Sequence, residues 1–127
     1  MARRSMIDTD VLIEYFRGSE RASKFLEGLE GDLIISAISV AELFSGVKGS
    51  EEMDALDQFM LAFQTIPIDD HLARQAGLIR QEYHPSHGVG LGHALIAATA
   101  LEQGAELFTF NRRHYPMVED VSLPYNR

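Results

Sequence analysis

The sequence predicts an α/β fold with a mostly parallel sheet and helices on both of its faces. Short apolar runs alternate with longer segments of helical periodicity along the whole chain, which is the pattern of βαβ units. The 127 residues suit one domain and bury enough surface to need no crosslinks. Because no repeat, linker or low-complexity tract interrupts them, we expect a single domain over residues 1–127.

The first part of the chain reads as strand, helix, helix, strand. Residues 5–8 are a short apolar run that ends in an acid, as a buried strand can. Residues 11–16 are apolar over a helical length, and residues 20–30 place apolar side chains on one helical face. Glycines follow both segments, as they often do at helix C-termini. Residues 33–35 are Leu-Ile-Ile, which indicates a second buried strand.

The middle of the chain adds two helices and a strand. Residues 40–47 form an apolar segment with a glycine two positions beyond it, which predicts a helix and its end. Residues 51–63 carry apolar side chains at helical spacing and predict the next helix. Residues 66–68, Ile-Pro-Ile, indicate a short strand.

The last part predicts two helices and two strands. Asp69 or Asp70 caps a helix that runs to about Tyr83. Residues 84–92 are rich in proline, glycine and serine and predict a loop. Alanine-rich residues 94–103 predict a helix. The final strands are residues 106–110 and 121–123.

Composition limits the classes of function. There is no cysteine, which excludes a disulfide framework, a thiolate nucleophile and a cysteine zinc site. The formal net charge of −8 argues against a sequence-blind nucleic-acid coat. It does not exclude a nuclease, since carboxylates that bind a divalent metal add to the acidity. The apolar run near the N-terminus is too short for a signal peptide or a membrane span, so we expect a soluble, cytoplasmic protein.

The strongest local feature is Asp8-Thr9-Asp10, directly after the first predicted strand. In parallel sheets the working site lies beyond the carboxyl ends of the strands, and carboxylates there suit magnesium or manganese. The alternative is that Asp8 or Asp10 only caps the following helix. The two interpretations have equal support from this segment alone.

A second candidate is Glu42, within Ser39-Val40-Ala41-Glu42. The spacing of Ser39 and Glu42 matches a capping box, a structural role that the segment by itself favours. In the functional interpretation, Glu42 projects from the first turn of a helix that follows the second strand. Its carboxylate would then lie beside Asp8.

Four blocks, in their order along the chain, resemble PIN-domain toxin ribonucleases of the VapC type from type II toxin–antitoxin systems. They are Met-Ile-Asp-Thr-Asp-Val-Leu-Ile from Met6, Ser-Val-Ala-Glu-Leu from Ser39, Ala-Leu-Ile-Ala-Ala-Thr-Ala from Ala94 and Thr-Phe-Asn-Arg-Arg-His-Tyr from Thr109. No block is decisive alone, but four in this order are specific. The resemblance extends from Met6 to about Pro124.

The resemblance implies a three-layer α/β/α domain with endoribonuclease activity that depends on magnesium, with manganese as an alternative. It also implies a homodimer and an antitoxin that lays a segment over the active-site groove. By position, Asp8 and Glu42 match the first two metal-binding acids and Asn111 the last polar position. The supporting residues are Thr9, Asp10 and Thr109.

His93 departs from the family pattern. Members of this kind have aspartate immediately before Ala-Leu-Ile-Ala-Ala, and here that position is histidine. A neutral imidazole offers one lone pair and no charge, and it suits manganese, zinc or nickel better than magnesium. It also lies at a helix N-terminus, where the dipole disfavours imidazolium. We therefore expect His93 to serve as a weaker third ligand that impairs catalysis without altering the fold.

Two alternative functions remain open. One is a catalytically inactive PIN-domain protein that only dimerises and binds an antitoxin. The other takes Asp8 and Asp10 as the nucleophile and acid of a haloacid-dehalogenase-like phosphatase. That chemistry needs a supporting lysine and a downstream acid pair, and Lys48 and Asp69-Asp70 lie in poor context for it.

Three other histidines have structural interpretations. His84 and His87 are expected in a mobile loop rather than in a metal clip, because nothing in the sequence fixes their geometry. His114, like its neighbour Tyr115, is expected to pack and hydrogen-bond under the last strand.

Overall fold

The computed structural model describes residues 3–127, and its elements follow the predicted order. Residues 1 and 2, which the expected single domain includes, lie outside the described residues. The elements are β1 (Arg4–Ile7), α1 (Thr9–Phe16), α2 (Glu20–Gly28), β2 (Asp32–Ser36), α3 (Ala37–Ser45), α4 (Gly49–Met60), β3 (Gln64–Ile66), α5 (Asp70–His87), α6 (Leu91–Gln103), β4 (Glu106–Phe108), a 3₁₀ turn (Arg112–His114) and β5 (Val121–Ser122).

The five strands form one sheet in the order β3-β2-β1-β4-β5. Every pairing is parallel, so the predicted α/β class is confirmed. Strand β1 is central, with β2 on one side and β4 on the other. The chain leaves β1 towards β2 and later returns to β4 on the opposite side. This reversal opens a crevice at the carboxyl ends of β1 and β4, where sheets of this kind bind ligands.

Neighbouring residues of the central strands point to opposite faces of the sheet and enter two separate cores. Met6, Ile34 and Leu107 pack on one side with the apolar face of α6. On the other side, the residues that follow them on each strand pack with α1, α2, α3 and α4: Ile7, Ile35 and Phe108. Because both faces are covered, the strands β1, β2 and β4 carry apolar side chains at consecutive positions rather than at alternate ones.

The N-caps of α1 and α3 explain why these two helices begin earlier than predicted. The Asp8 side chain accepts from Thr9 N, so α1 starts at Thr9 rather than at residue 11. The cap of α3 is Ser36, whose Oγ accepts from Ile38 N, so this helix starts at Ala37. The capping box between Ser39 and Glu42 was therefore a wrong prediction. Ser39 lies inside the helix, and Glu42 is in its second turn.

The predicted loop over residues 84–92 was also wrong, because α5 continues to His87. Pro85 lacks only the amide that would donate to the carbonyl of Gln81, and in this exposed last turn water can satisfy that carbonyl. The helix ends at Gly88, whose φ of 64° is left-handed and whose N–H donates to His84 O at 3.0 Å.

The connection to α6 is therefore short, and α6 starts at Leu91 instead of residue 94. His93 consequently lies in the first turn of α6. Within residues 3–127, no helix has the combined length and apolar character needed to cross a bilayer.

Candidate active site

Asp8 is the buried centre of the crevice. It follows β1 directly, is only 4% exposed, and uses Oδ1 to accept from Thr9 N at 2.7 Å. Its Oδ2 accepts from the hydroxyls of Thr109 at 2.7 Å and Tyr115 at 2.9 Å. Capping thus involves one carboxylate oxygen. A carboxylate that also accepts from two hydroxyls more than a hundred positions away in the chain is held by more bonds than a helix cap requires.

Glu42 reaches back from α3 to the first residue of α1. Thr9 Oγ1 donates to Glu42 Oε1 at 2.7 Å and is itself 2.7 Å from the buried Ser39 Oγ. Since Thr9 has one hydroxyl proton, Ser39 donates to Thr9 and Thr9 donates to Glu42. This chain of hydroxyls orients the Glu42 carboxylate beside the end of β1.

Asp10 lies next to Asp8 and has two different oxygens. Oδ2 accepts from Phe110 N at 3.0 Å and from Asn111 Nδ2 at 3.3 Å. Oδ1 is buried and has no hydrogen-bond partner within residues 3–127. Burial, and then the charge of Asp8, raise the pKa of Asp10 to about 6. This buried oxygen has no hydrogen-bond donor and lies next to a second carboxylate. A cation bound there would offset the unfavourable negative charge.

His93 enters the crevice from the first turn of α6. Its ring lies 4.4 Å from that of His114, and the ring of Tyr115 meets it nearly at right angles, 5.6 Å away. Burial and the proximity of His93 lower the pKa of His114, which keeps the His114 imidazole neutral near pH 7. His93 thus lies inside the site, as predicted, and contacts the rings of His114 and Tyr115.

The residues predicted for the site line a single cavity of about 420 Å³. Its polar lining consists of Asp8, Thr9, Asp10, Glu42, His93 and Asn111. Thr109 is fully buried behind Asp8. The structure therefore brings together every residue that the sequence proposed for the site. The acid pair Asp69-Asp70 is elsewhere, where Asp69 caps α5.

The donor set of this cavity fits a hard divalent cation. Asp8, Asp10 and Glu42 supply carboxylates, and the buried Oδ1 of Asp10 lacks a donor. In the part of the chain that the structure describes, no three acidic or histidine side chains are already arranged to hold one ion. Coordination of one ion by three of these side chains would therefore require at least one of them to move.

The sequence did not reveal two residues of the site, Ser39 and Tyr115. Ser39 was interpreted as a helix cap. Tyr115 was expected to bond under the last strand, but its hydroxyl reaches Asp8, 107 positions away in the chain. His84 and His87, expected in a loop, are exposed in the last turn of α5. Only the position of Tyr115 in the block that begins at Thr109 hinted at its role.

The pKa of Asp10 leads to a prediction about metal-free stability. Its pKa of about 6 in the folded protein exceeds its ordinary value of 3.8. The stabilisation that protonated Asp10 gives is therefore complete below pH 3.8 and lost as pH rises through 6. Relative to Asp10→Asn, we expect the metal-free protein to lose up to about 3 kcal/mol of unfolding free energy over this interval.

Urea denaturation of both proteins from pH 4 to pH 7 measures this difference. Comparison with Asp10→Asn removes the contribution of the other carboxylates. Saturating Mg²⁺ at pH 7 should recover part of the loss, since the cation offsets the charge of Asp10. A stability difference that does not vary with pH would contradict the assignment.

A second cavity, of about 550 Å³, lies beside the first. The two cavities adjoin, because Ile13 and Glu42 line both, and together they are called the groove below. The second cavity has an apolar floor between α1, α3 and α4 and a rim that carries Arg17, Lys48 and Glu52. Its lining is suited to a segment with apolar and charged side chains.

Comparison with known proteins places the chain among sequences of one family. The PIN domain family matches residues 5–119. Ribonuclease VapC10 of Mycobacterium tuberculosis is 37% identical over 123 residues, covering 94% of this chain and 92% of the relative. Ribonuclease VapC19 of the same organism is 36% identical over 124 residues, covering 94% and 98%. A toxin–antitoxin complex from Klebsiella pneumoniae contains a chain that is 28% identical, with a TM-score of 0.84 and coverage of 97% and 99%.

Proposed function

The chain belongs to the PIN-domain family, and from that premise we propose that it is a toxin endoribonuclease that cleaves RNA phosphodiester bonds with a divalent metal. Magnesium is the proposed ion and manganese the alternative, because the donors are mainly carboxylates. The observation that carries the proposal is the convergence of Asp8, Asp10 and Glu42 in one cavity at the carboxyl edge of the sheet.

Asp8, Glu42 and His93 are the residues that would hold the metal, and the Asp10 carboxylate beside them would support the site through its negative charge. When bound, the metal would polarise the scissile phosphate and lower the pKa of an attacking water. Thr9 orients Glu42, and Thr109 orients Asp8, through their hydroxyl groups. These hydrogen bonds hold the carboxylates in place before substrate arrives, which reduces the reorganisation that the reaction requires.

Asn111 contacts the acidic side of the cavity, and the two arginines that follow it are suited to contact the RNA. Its side-chain amide donates to Asp10 Oδ2 at 3.3 Å and fixes that carboxylate. Arg112 and Arg113 follow it and are exposed. In a chain with a net charge of −8, cations next to the cavity are suited to contact phosphates on either side of the cleaved bond.

His93 reduces the charge of the site, and we propose that it attenuates magnesium-dependent cleavage. The same observation supports a second candidate function, a catalytically inactive protein that dimerises and binds an antitoxin. The two differ in whether an aspartate at this position produces activity.

Cleavage of a defined RNA by the purified chain tests the proposed function. We expect cleavage with Mg²⁺ or Mn²⁺, and none when EDTA is present or when Ca²⁺ replaces them. Products whose new 5′ or 3′ ends carry a phosphate and map to internal positions of the uncut RNA would identify an endonuclease. Cleavage that survives EDTA would contradict the metal-dependent mechanism, and its absence at micromolar protein with either ion would favour the inactive alternative.

The groove supports the proposal that the partner is an antitoxin. The groove is acidic where Asp8, Asp10 and Glu42 line it and apolar between α1, α3 and α4. It therefore suits a segment with both basic and apolar side chains, in which an arginine can pair with Asp8 and Glu42 in place of the metal. Such a segment would block the site.

We further propose that the protein is a single PIN domain acting in the cytoplasm as a homodimer. The exposed Leu78 and Leu101 on α5 and α6 provide apolar surface for a second copy.

Blocking the groove should weaken antitoxin binding. Ala55 is exposed on α4 and lines the groove, so Ala55→Arg adds bulk and positive charge there without disturbing the core. We expect antitoxin affinity to fall at least about tenfold, equivalent to ~1.4 kcal/mol. Calorimetric titration with the protein encoded by the adjacent reading frame measures this.

Ala73→Arg is the matched control, because Ala73 is exposed on α5 and does not line the groove. Its antitoxin affinity should equal that of the unchanged protein. Equal weakening in both variants, or a toxin that stays unbound at micromolar concentration, would count against this partner surface.

A further inference from the structure

Tyr115 joins the buried core to the active-site cavity. It is 1% exposed and belongs to the core cluster that includes Met6 and Leu107. Its hydroxyl does not point into the core but donates to Asp8 Oδ2 at 2.9 Å. Burial and the charge of Asp8 raise the pKa of Tyr115 well above its ordinary value, so this hydroxyl stays protonated as a donor.

The Asp8 carboxylate is held by three donors, one from the next residue and two from the stretch between β4 and β5. Thr9 N bonds to Oδ1, while Thr109 Oγ1 and Tyr115 OH converge on Oδ2. Rotation of the carboxylate would break all three bonds. Charge-assisted hydrogen bonds of this kind are stronger than neutral ones, so together they fix the plane of the carboxylate.

The ring of Tyr115 also contacts His93, which lines the cavity from α6. It lies at 88° to the His93 ring with centroids 5.6 Å apart, a favourable edge-to-face contact. One residue thus contacts Asp8, which follows β1, through its hydroxyl and His93, in α6, through its ring.

Building on the metal-dependent function proposed above, we propose that Tyr115 is a positioning residue that holds Asp8 in the orientation required for metal binding. The simpler interpretation is that Asp8 merely satisfies a buried core hydroxyl. The two roles have different consequences. A structural hydroxyl affects only stability, whereas a positioning hydroxyl also affects the affinity for the cation, as partners of metal ligands generally do.

Tyr115→Phe separates these roles because it removes the hydroxyl and keeps the ring. We expect the dissociation constant for Mn²⁺, followed by the electron paramagnetic resonance of the free ion, to rise about tenfold or more. The Mg²⁺ concentration for half-maximal RNA cleavage should rise by a similar factor, while the rate at saturating Mg²⁺ changes less. Tyr125→Phe is the control, since it removes a buried hydroxyl that has no partner in residues 3–127.

An unchanged Mn²⁺ affinity in Tyr115→Phe would overturn the proposal, whatever the melting temperature does. So would an equal loss in Tyr125→Phe. Circular dichroism checks that both variants fold; should Tyr115→Phe fail, Tyr115→Met provides a flexible apolar replacement that must show the same weakening. If the unchanged protein and the control bind no Mn²⁺ either, the metal-dependent function itself fails, and this outcome is distinct from a loss confined to position 115.

Discussion

Replacing Asp8 with asparagine is expected to abolish RNA cleavage, with a rate reduction of at least about a thousandfold, equivalent to ~4 kcal/mol of transition-state stabilisation. Asp8 is the most buried acid of the cavity and accepts three hydrogen bonds. Asparagine has nearly the same shape but carries no charge. Its amide nitrogen would also face donors that require an acceptor, so both the ligand and its orientation are lost.

Single-turnover cleavage of one RNA, with and without Mg²⁺, measures this effect. Asp32→Asn is the matched control, because Asp32 is exposed at the opposite end of β2 and should leave the rate unchanged. Circular dichroism of both variants checks the fold. An Asp8→Asn variant that retains a tenth of the activity would show that Asp8 is chiefly a helix cap.

The sequence was sufficient to predict the parts of the site that depend on chain order. Asp8 and Asp10 come directly after a strand, and Glu42 follows the next strand in a helix. Since parallel strands end at the same edge, their proximity follows from the topology. The apolar runs that gave the strands are continuous because both faces of the sheet are covered. Those features are local in sequence and need no knowledge of packing.

The remaining features depend on contacts between distant residues. Tyr115 directly follows the 3₁₀ turn after β4, and its bond to Asp8 joins residues 107 positions apart. Ser39 could act as a cap or a relay, and the earlier cap at Ser36 decided this. The extension of α5 through Pro85 depends on an exposed last turn that tolerates the missing amide. Local propensity determines none of these choices.

Placing an aspartate at position 93 is expected to increase magnesium-dependent cleavage at least about a hundredfold, or ~2.7 kcal/mol. An aspartate would add an anionic oxygen donor, which Mg²⁺ prefers to imidazole. The fold should accept it, because His93 lies in the first turn of α6, where the helix dipole favours a negative charge. The neighbouring His114, whose pKa is lowered partly by His93, would gain a favourable partner.

Cleavage rates of the unchanged protein, His93→Asp and His93→Asn over Mg²⁺ and Mn²⁺ titrations test this expectation. His93→Asn is the control, since it matches the aspartate in size but lacks its charge and should show no gain with Mg²⁺. Mn²⁺ should raise the rate of the unchanged protein more than that of His93→Asp, because imidazole prefers it to Mg²⁺. Equal Mg²⁺-supported rates in all three proteins would show that position 93 is not a ligand. If His93→Asp cleaves RNA with neither ion, loss of this one charge cannot explain the inactivity, and a protein that only binds its antitoxin becomes the better account.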